Sequence, residues 1–125
     1  MKNNIDTALA PKAIGTYSQA ICANNIVYIS GQIPLDPKTM TMVSGDFESK
    51  VKQVFENINA IALASGGNLS KIVKMQVFLL DLNHFSIIND IMATYFEKPY
   101  PARAVLQVSR LPKDAEIEID AILHV

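Results

Sequence analysis

Two stretches of three- and four-residue apolar spacing, each set between short runs of branched residues, constrain the fold of this chain most. The apolar residues of each stretch line one side of a helix. They are Phe47, Val51, Val54, Phe55, Ile58, Ile61 and Ala62 in the first stretch, and Phe85, Ile88, Met92, Tyr95 and Phe96 in the second. Asp46 or Ser44 can cap the first helix, and Gly66-Gly67 supply its left-handed stop. Asn83 can cap the second helix, which Pro99 ends.

Five segments are predicted to be strands around these helices. Asn24 and Asn25 separate the first two segments and form a two-residue hairpin turn, because asparagine tolerates positive φ. In the last segment one set of residues alternates with another, as in a strand with one buried face. The first set is Ile117, Ile119, Ala121 and Leu123, and the second is Glu118, Asp120 and Ile122. The predicted strands are 19–23, 26–30, 72–80, 102–108 and 116–124.

The order β-β-α-β-α-β-β predicts an α+β fold with one mixed sheet. Helical crossovers return the chain parallel to the previous strand, so both helices pack on one face of the sheet. A length of 125 residues suits a single domain over 1–125. Half of the residues are hydrophobic and only 18% are charged, so we expect sheets of neighbouring subunits to cover the second face.

Composition argues against several classes of protein. The longest apolar runs, such as 60–64, are far shorter than the roughly 20 residues that cross a bilayer. A net charge of −1 gives no general attraction for nucleic acid. The N-terminus lacks the apolar core of a secretory signal, and one cysteine, Cys22, excludes an internal disulfide, so we expect a cytoplasmic protein. His84 and His124 are isolated from each other and from any cluster with ligand spacing, so no metal site is predicted.

Arg103 is the first candidate for chemistry. Two prolines precede it in Tyr100-Pro101-Ala102-Arg103, and it stands at the start of an apolar strand. We expect a guanidinium group at that position to bind an anion, and its planar set of donors can form two parallel hydrogen bonds with a carboxylate. The alternative is a structural ion pair with a nearby Asp or Glu.

Glu118 and Asp120 share the face of the last strand that is opposite the isoleucines. If another subunit covers that face, at least one carboxylate is buried and needs a partner or a function. A carboxylate beside a cleft can hold a water molecule and act as a general base. The alternative is the charged outer face of an edge strand.

The sequence offers four weaker candidates besides Arg103 and Glu118. Gly31 directly follows a predicted strand, where glycine often lets a ligand approach the backbone, although a plain turn explains it equally well. Tyr17 can donate a hydrogen bond to a ligand or simply pack. Lys113 can add positive charge near a cleft or lie in a solvated turn. Cys22 is expected to be an inert, small hydrophobic residue of a strand.

Several of these segments, in this order and spacing, resemble the RidA (YjgF) family of reactive intermediate deaminases, known in older naming as L-PSP endoribonucleases. The resemblance covers nearly the whole chain, and the combination of a Pro-Ala-Arg segment with a Leu-Pro-Lys-Asp turn is specific. The matching segments are Ala13-Ile14-Gly15 with Tyr17 and Gln19, Ser30-Gly31-Gln32-Ile33-Pro34, Ile72-Val73-Lys74, Asp81-Leu82-Asn83, Pro101-Ala102-Arg103, and Arg110-Leu111-Pro112-Lys113-Asp114 leading into Ile117-Glu118-Ile119.

The resemblance implies a chorismate-mutase-like α+β fold and a homotrimer with the sheets inside and a ligand cleft at each subunit interface. It also implies hydrolysis of 2-iminobutanoate or 2-iminopropanoate to 2-keto acids and ammonia, without a cofactor. By matching position, Arg103 would clamp the substrate carboxylate and Glu118 would position or activate water. The residues that would line the cleft are Tyr17, Ser30, Gly31 and Asn89.

One departure from the family pattern is Val105, which stands where the family often has cysteine. Its backbone amide can still donate to a carboxylate, so it stays a candidate ligand-binding residue. Two other functions remain open. One is a regulatory trimer that senses 2-keto acids without turnover, which Glu118 disfavours because a second negative group repels an anionic ligand. The other is an RNA-cleaving translation inhibitor, for which the near-neutral charge gives little support.

Overall fold

The computed structural model describes residues 1–125 and contains one six-stranded sheet. In chain order its elements are β1 Asn3–Ile5, β2 Ala20–Ala23, β3 Ile26–Gln32, α1 Phe47–Ala64, β4 Ile72–Leu79, α2 Phe85–Tyr95, β5 Ala102–Gln107 and β6 Ile117–His124. The strand order is β1-β2-β3-β6-β4-β5, with β4 and β5 parallel and all other neighbours antiparallel. The predicted α+β class with a mixed sheet is confirmed.

The hairpin between β2 and β3 forms as predicted. Asn24 and Asn25 both adopt left-handed backbone conformations, with φ of 52° and 63°. This turn matches the right-handed twist of the flanking strands and pairs Ala23 with Ile26 directly. β1 was not predicted, because its three residues carry no alternating apolar pattern.

The caps of α1 follow the sequence signals. The Asp46 carboxylate accepts a hydrogen bond from the Ser49 amide at 2.9 Å, so Asp46 rather than Ser44 is the cap. After the helix ends, Gly66 takes a φ of +90°. Gly67 is required for another reason, since a Cβ there would lie 2.9 Å from Leu123 Cδ1.

The predicted bounds of α2 are wrong at both ends. Asn83 does not cap the helix, because it lies inside a short 3-10 turn over Leu82–His84, and Asp81 accepts the Asn83 amide at 2.9 Å instead. The helix ends at Tyr95 because Phe96 is already extended, so the stop comes before Pro99.

Both helices pack on one face of the sheet, as predicted. The β6 side chains Ile117, Ile119, Ala121 and Leu123 are buried beneath them. On the opposite face Tyr28 and Leu106 remain about half exposed. A single chain therefore leaves apolar surface on the second face of its sheet.

Cys22 is a partly buried free thiol that packs against the core, as expected for an inert strand cysteine. No helix in the chain combines the length and the apolar character that crossing a membrane requires.

Candidate functional site

The candidate residues fall into two groups on opposite faces of the sheet. Arg103 lies beside Met75, and Met75 lies beside Ala121, so Arg103 shares the helix-covered face. Glu118 lies beside Phe78 on the other face. Within one chain the two predicted catalytic residues are therefore not brought together.

The first group, which we call the glutamate half-site, surrounds a cavity of about 410 Å³. That volume is within the range of roughly 300–1,000 Å³ that is usual for small-molecule sites. Of the predicted residues, the cavity brings together Tyr17, Ser30, Gly31, Lys113 and Glu118.

Gly31 and Glu118 are in close contact across β3 and β6. A Cβ atom on Gly31 would lie 2.7 Å from Glu118 Oε2 and 2.8 Å from Glu118 Cδ. The group that approaches Gly31 in the structure is therefore the carboxylate of the same chain, and the approach of a ligand to this glycine stays a prediction. The absence of a side chain at Gly31 fixes where the Glu118 carboxylate can lie.

Glu118 is a half-buried carboxylate that forms neither an ion pair nor a hydrogen bond within the chain. Burial raises its pKa above the ordinary value, and the charge of Asp120 raises it further. Burial also raises the pKa of Asp120, which a hydrogen bond from the Gln76 backbone partly offsets. A carboxylate whose ionised form is destabilised in this way is a stronger proton acceptor.

The alternative interpretation of Glu118 as part of a charged edge strand is wrong. β6 lies between β3 and β4 in the interior of the sheet. Its charged side chains therefore do not serve to prevent another chain from pairing with an edge strand.

Tyr17 and Ser30 differ in how firmly they are held. Ser30 is fixed through its amide, which donates to the Gln19 carbonyl at 2.9 Å, and through its hydroxyl, which donates to the Ser18 carbonyl. Tyr17 is 51% exposed, and its hydroxyl accepts only a long 3.5 Å contact from the Ile14 amide. Tyr17 is therefore a rim residue of the cavity and not a packed core residue.

The second group, which we call the arginine half-site, is built around Arg103. Its Nη1 donates to Asn89 Oδ1 at 2.7 Å and lies 3.4 Å from Met92 Sδ. The guanidinium carbon lies 5.1 Å from the centre of the Phe85 ring, within the range of a cation–π contact. These contacts leave Nε and Nη2 without a partner. The cavity here, of about 480 Å³, is lined by Asn89, Met92, Ala93, Tyr100, Pro101 and Arg103.

Arg103 forms no ion pair within the chain, so the alternative of a structural ion pair to an Asp or Glu of the same chain is wrong. Sequence reasoning missed the contact with Phe85. The available signal was helical spacing, because Phe85 and Asn89 are four residues apart and so share one face of α2.

Val105 lies on β5, the last strand of the sheet. Its side chain packs against the core. The Val108 amide donates to the Leu79 carbonyl at 2.8 Å, and donors alternate along a parallel strand. The amides of Arg103 and Val105 therefore point to the free edge, where a ligand held by the guanidinium can reach them.

No group of three or more His, Cys, Asp or Glu side chains is arranged to hold a metal ion. The chemical groups that these two half-sites offer are one unpaired guanidinium, one unpaired carboxylate, a tyrosine hydroxyl and several backbone amides.

Known proteins resemble this chain along nearly its full length. The family model described as endoribonuclease L-PSP matches residues 7–125. A RutC family protein of Pyrococcus horikoshii is 51% identical, covering 99% of this chain and 98% of its own. The human 2-iminobutanoate/2-iminopropanoate deaminase is 45% identical over 94% of this chain and 86% of its own. The crystal structure of RidA from a Psychrobacter species superposes with a TM-score of 0.95, at 48% identity, over 98% of this chain and 99% of its own.

Proposed function

We propose that this chain, which belongs to the endoribonuclease L-PSP family, hydrolyses 2-iminobutanoate and 2-iminopropanoate to 2-keto acids and ammonia. The observation that carries the proposal is the pair of unmatched charges, one guanidinium and one half-buried carboxylate, that each open into a cavity. A 2-imino acid has a carboxylate that the Arg103 guanidinium can bind. It also has an electrophilic carbon that a water molecule held by the Glu118 carboxylate can attack. The human relative that bears this activity in its name supports the same substrate class.

The proposed site is composite and forms between two copies of the chain. Arg103 and Glu118 project from opposite sheet faces, so one small substrate can reach both only when the arginine half-site of one copy meets the glutamate half-site of another. The exposed apolar residues Tyr28 and Leu106 on the uncovered face support an assembly that buries it. We propose the homotrimer that the family resemblance implies, with three such clefts.

In the proposed cleft, Arg103 binds the substrate carboxylate through Nε and Nη2, the two donors that Asn89 leaves free. The Val105 amide adds a third donor from the open edge of β5. Tyr17, Ser30 and Gly31 of the neighbouring copy close the other side. This arrangement orients carbon 2 of the imine toward Glu118.

Glu118 then acts on the attacking water. Its carboxylate accepts a proton as the water oxygen bonds to carbon 2, and the electron pair of the C=N bond moves to nitrogen, which takes that proton from Glu118. In the resulting aminoalcohol, Glu118 accepts the hydroxyl proton and passes it to nitrogen as the C–N bond breaks. Ammonia leaves, the hydroxyl oxygen becomes the carbonyl oxygen of the 2-keto acid, and Glu118 is again a carboxylate. Such general base catalysis contributes about 10²–10⁴-fold, and the reaction requires no cofactor.

The direct test is competition with a trapping reagent. A threonine dehydratase generates 2-iminobutanoate in the presence of semicarbazide, and loss of the trapped product measures hydrolysis by this protein. Removing one charged clamp on the substrate carboxylate costs about 2–3 kcal/mol, so Arg103→Ala should lower kcat/KM by about 30- to 160-fold. Arg110→Ala is the matched control, because Arg110 forms only a highly exposed ion pair with Asp114.

Two outcomes contradict the proposal. One is equal activity in wild type and Arg103→Ala. The other is a folded assembly that binds 2-ketobutyrate without accelerating loss of the imine, which would make the regulatory sensor the better account.

A further inference from the structure

We propose that Lys12 and Lys113 form a second anion-binding position in the glutamate half-site, and that the substrates therefore include 2-imino acids with a second carboxylate at the far end of their side chain. This inference rests on the proposed function and extends it to the class of imines derived from acidic amino acids.

The first observation is that both lysines line the same cavity as Glu118. The ion pairs of the chain join Lys50 to Glu116, Lys52 to Glu48 and Arg110 to Asp114. Neither Lys12 nor Lys113 takes part in one. The cavity therefore carries two positive charges that form no ion pair with any carboxylate of the chain.

The second observation concerns how Lys113 is held. Lys113 and Asp114 both have a φ of 55°, so two consecutive residues other than glycine adopt the left-handed conformation. Such a backbone is unfavourable, and it persists only where the surroundings determine it. The Asp114 amide donates to the carbonyl of the buried Leu111 at 3.1 Å, and the Ala115 amide donates to the Pro112 carbonyl at 3.1 Å. These two hydrogen bonds close the turn around Lys113.

Lys12 is positioned by a different device. The buried Gln19 side chain donates to the carbonyl of Pro11 at 2.8 Å and to that of Thr7 at 3.0 Å, and it accepts the Thr7 amide at 2.8 Å. This single amide group fastens the N-terminal segment to the sheet immediately before Lys12. Lys12, like Lys113, therefore extends to the cavity from a backbone that hydrogen bonds hold in place.

The third observation places the two ammonium groups at the rim. Lys12 and Lys113 are both exposed, whereas Glu118 is half-buried in the same cavity. Neither lysine forms an ion pair with Glu118, so the ammonium groups lie away from the reacting centre. A substrate with a single carboxylate, held by Arg103, leaves both lysines unpaired. A substrate with two carboxylates can place one at the Arg103 guanidinium and the other at the two lysines on the rim, with the reacting carbon between them.

The test compares two imines in one set of variants. An amino-acid oxidase with catalase generates 2-iminoglutarate from glutamate or 2-iminobutanoate from 2-aminobutyrate, and semicarbazide trapping gives kcat/KM for each. In the double variant Lys12→Met, Lys113→Met, we expect the ratio of the glutamate-derived to the aminobutyrate-derived value to fall about tenfold or more. Lys71→Met, an exposed lysine outside both cavities, should leave the ratio unchanged. Lys113→Arg keeps the positive charge and should retain most of the wild-type ratio.

Calorimetric binding of 2-oxoglutarate and 2-ketobutyrate to the same variants separates the two proposals. If 2-iminobutanoate is hydrolysed and neither the ratio nor 2-oxoglutarate binding depends on the lysines, the second anion position is wrong and the deaminase stands. If no imine is hydrolysed while 2-oxoglutarate binding is lost in the double variant, the deaminase is wrong and the anion position stands.

Discussion

Arg103 and Glu118 extend from opposite faces of one β-sheet, Arg103 beside Met75 on the helix-covered face and Glu118 beside Phe78 on the other. No rotation of either side chain brings the two groups together through the sheet. If both act on one substrate, two copies of the chain must share each site, and this arrangement can be tested by mixing inactive variants.

Arg103→Ala and Glu118→Gln chains should each lose most of their activity and should regain it in part when unfolded, mixed in equal amounts and refolded. A working cleft needs the arginine from one variant and the glutamate from the other, so random assembly gives about one quarter of wild-type activity. Mixing Arg103→Ala with the double variant Arg103→Ala, Glu118→Gln is the control and should stay inactive. Absence of recovery in the first mixture would place both residues in one copy's site or outside it.

Gly31→Ala should reduce activity much more than stability. The new Cβ overlaps the end of the flexible Glu118 side chain, which can move aside without disturbing the core. A displacement of about 1 Å at a reacting group costs on the order of 100-fold in kcat. Thermal unfolding and imine trapping on the same samples measure the two effects.

Gly67→Ala is the matched comparison for Gly31→Ala. Its Cβ would meet the buried Leu123 at 2.9 Å and Val125 at 3.1 Å, so the cost falls on packing. We expect a lower Tm and near-normal kcat for the folded fraction. The reverse pattern in the two variants would contradict the account of Gly31.

Asn89→Ala should weaken substrate binding more than it slows the chemical step. Asn89 Oδ1 fixes Arg103 Nη1 at 2.7 Å and so decides which donors remain for the substrate. Loss of one hydrogen bond to a charged group is worth about 1.5 kcal/mol, so KM should rise about tenfold. Asp90→Ala, the exposed neighbour on the same helix, should leave KM within about twofold of wild type. A fall in kcat alone would argue against an orienting role.

Asp120→Asn should shift the acidic limb of the pH dependence of kcat/KM to lower pH. Asp120 is the second cause, after burial, that raises the pKa of Glu118. Removing its charge lets Glu118 ionise at lower pH, so the base becomes active earlier as pH rises. The shift should be partial because burial remains. An unchanged pH profile would mean that Glu118 is not the titrating base.

Glu118→Gln should stabilise the fold near neutral pH. Because burial raises the folded-state pKa of Glu118, the folded state binds more protons than the unfolded state above the ordinary value of 4.5. Wild-type stability therefore falls as pH rises through the interval between that value and the raised pKa. The Tm difference between variant and wild type should open across this interval and vanish below it. A constant difference at all pH values would assign the effect to packing.

Much of the fold could be predicted from periodicity. The helical stripes of α1 and α2 and the alternation from Ile117 to Leu123 along β6 each identify a buried face. The structure confirms all three faces, except that Phe85 at the start of the α2 stripe is exposed. β1 was missed because Asn3–Ile5 has no apolar period and is placed by pairing with β2 and by packing of Ile5 against the core. The end of α2 was misplaced because Phe96 leaves the helix before the proline that marks its limit.

The candidate site was predictable residue by residue but not in its arrangement. The face on which Glu118 lies follows from the isoleucines around it. The face of Arg103 depends on the register of β5 against β4, and no residue in the short segment from Ala102 to Val105 specifies it. Lys12 carried no signal at all, because its position depends on hydrogen bonds from Gln19, seven residues further along the chain.

β5 ends the sheet, and its outward-facing amides and carbonyls form a row with no neighbouring strand. Such a row recruits other extended chains, and β5 bears only Arg103 as a charged deterrent. A copy that fails to assemble would therefore be prone to aggregate and would not persist as a merely inactive monomer. Mutations that weaken subunit contacts should first become visible as lost solubility, before any kinetic defect can be measured.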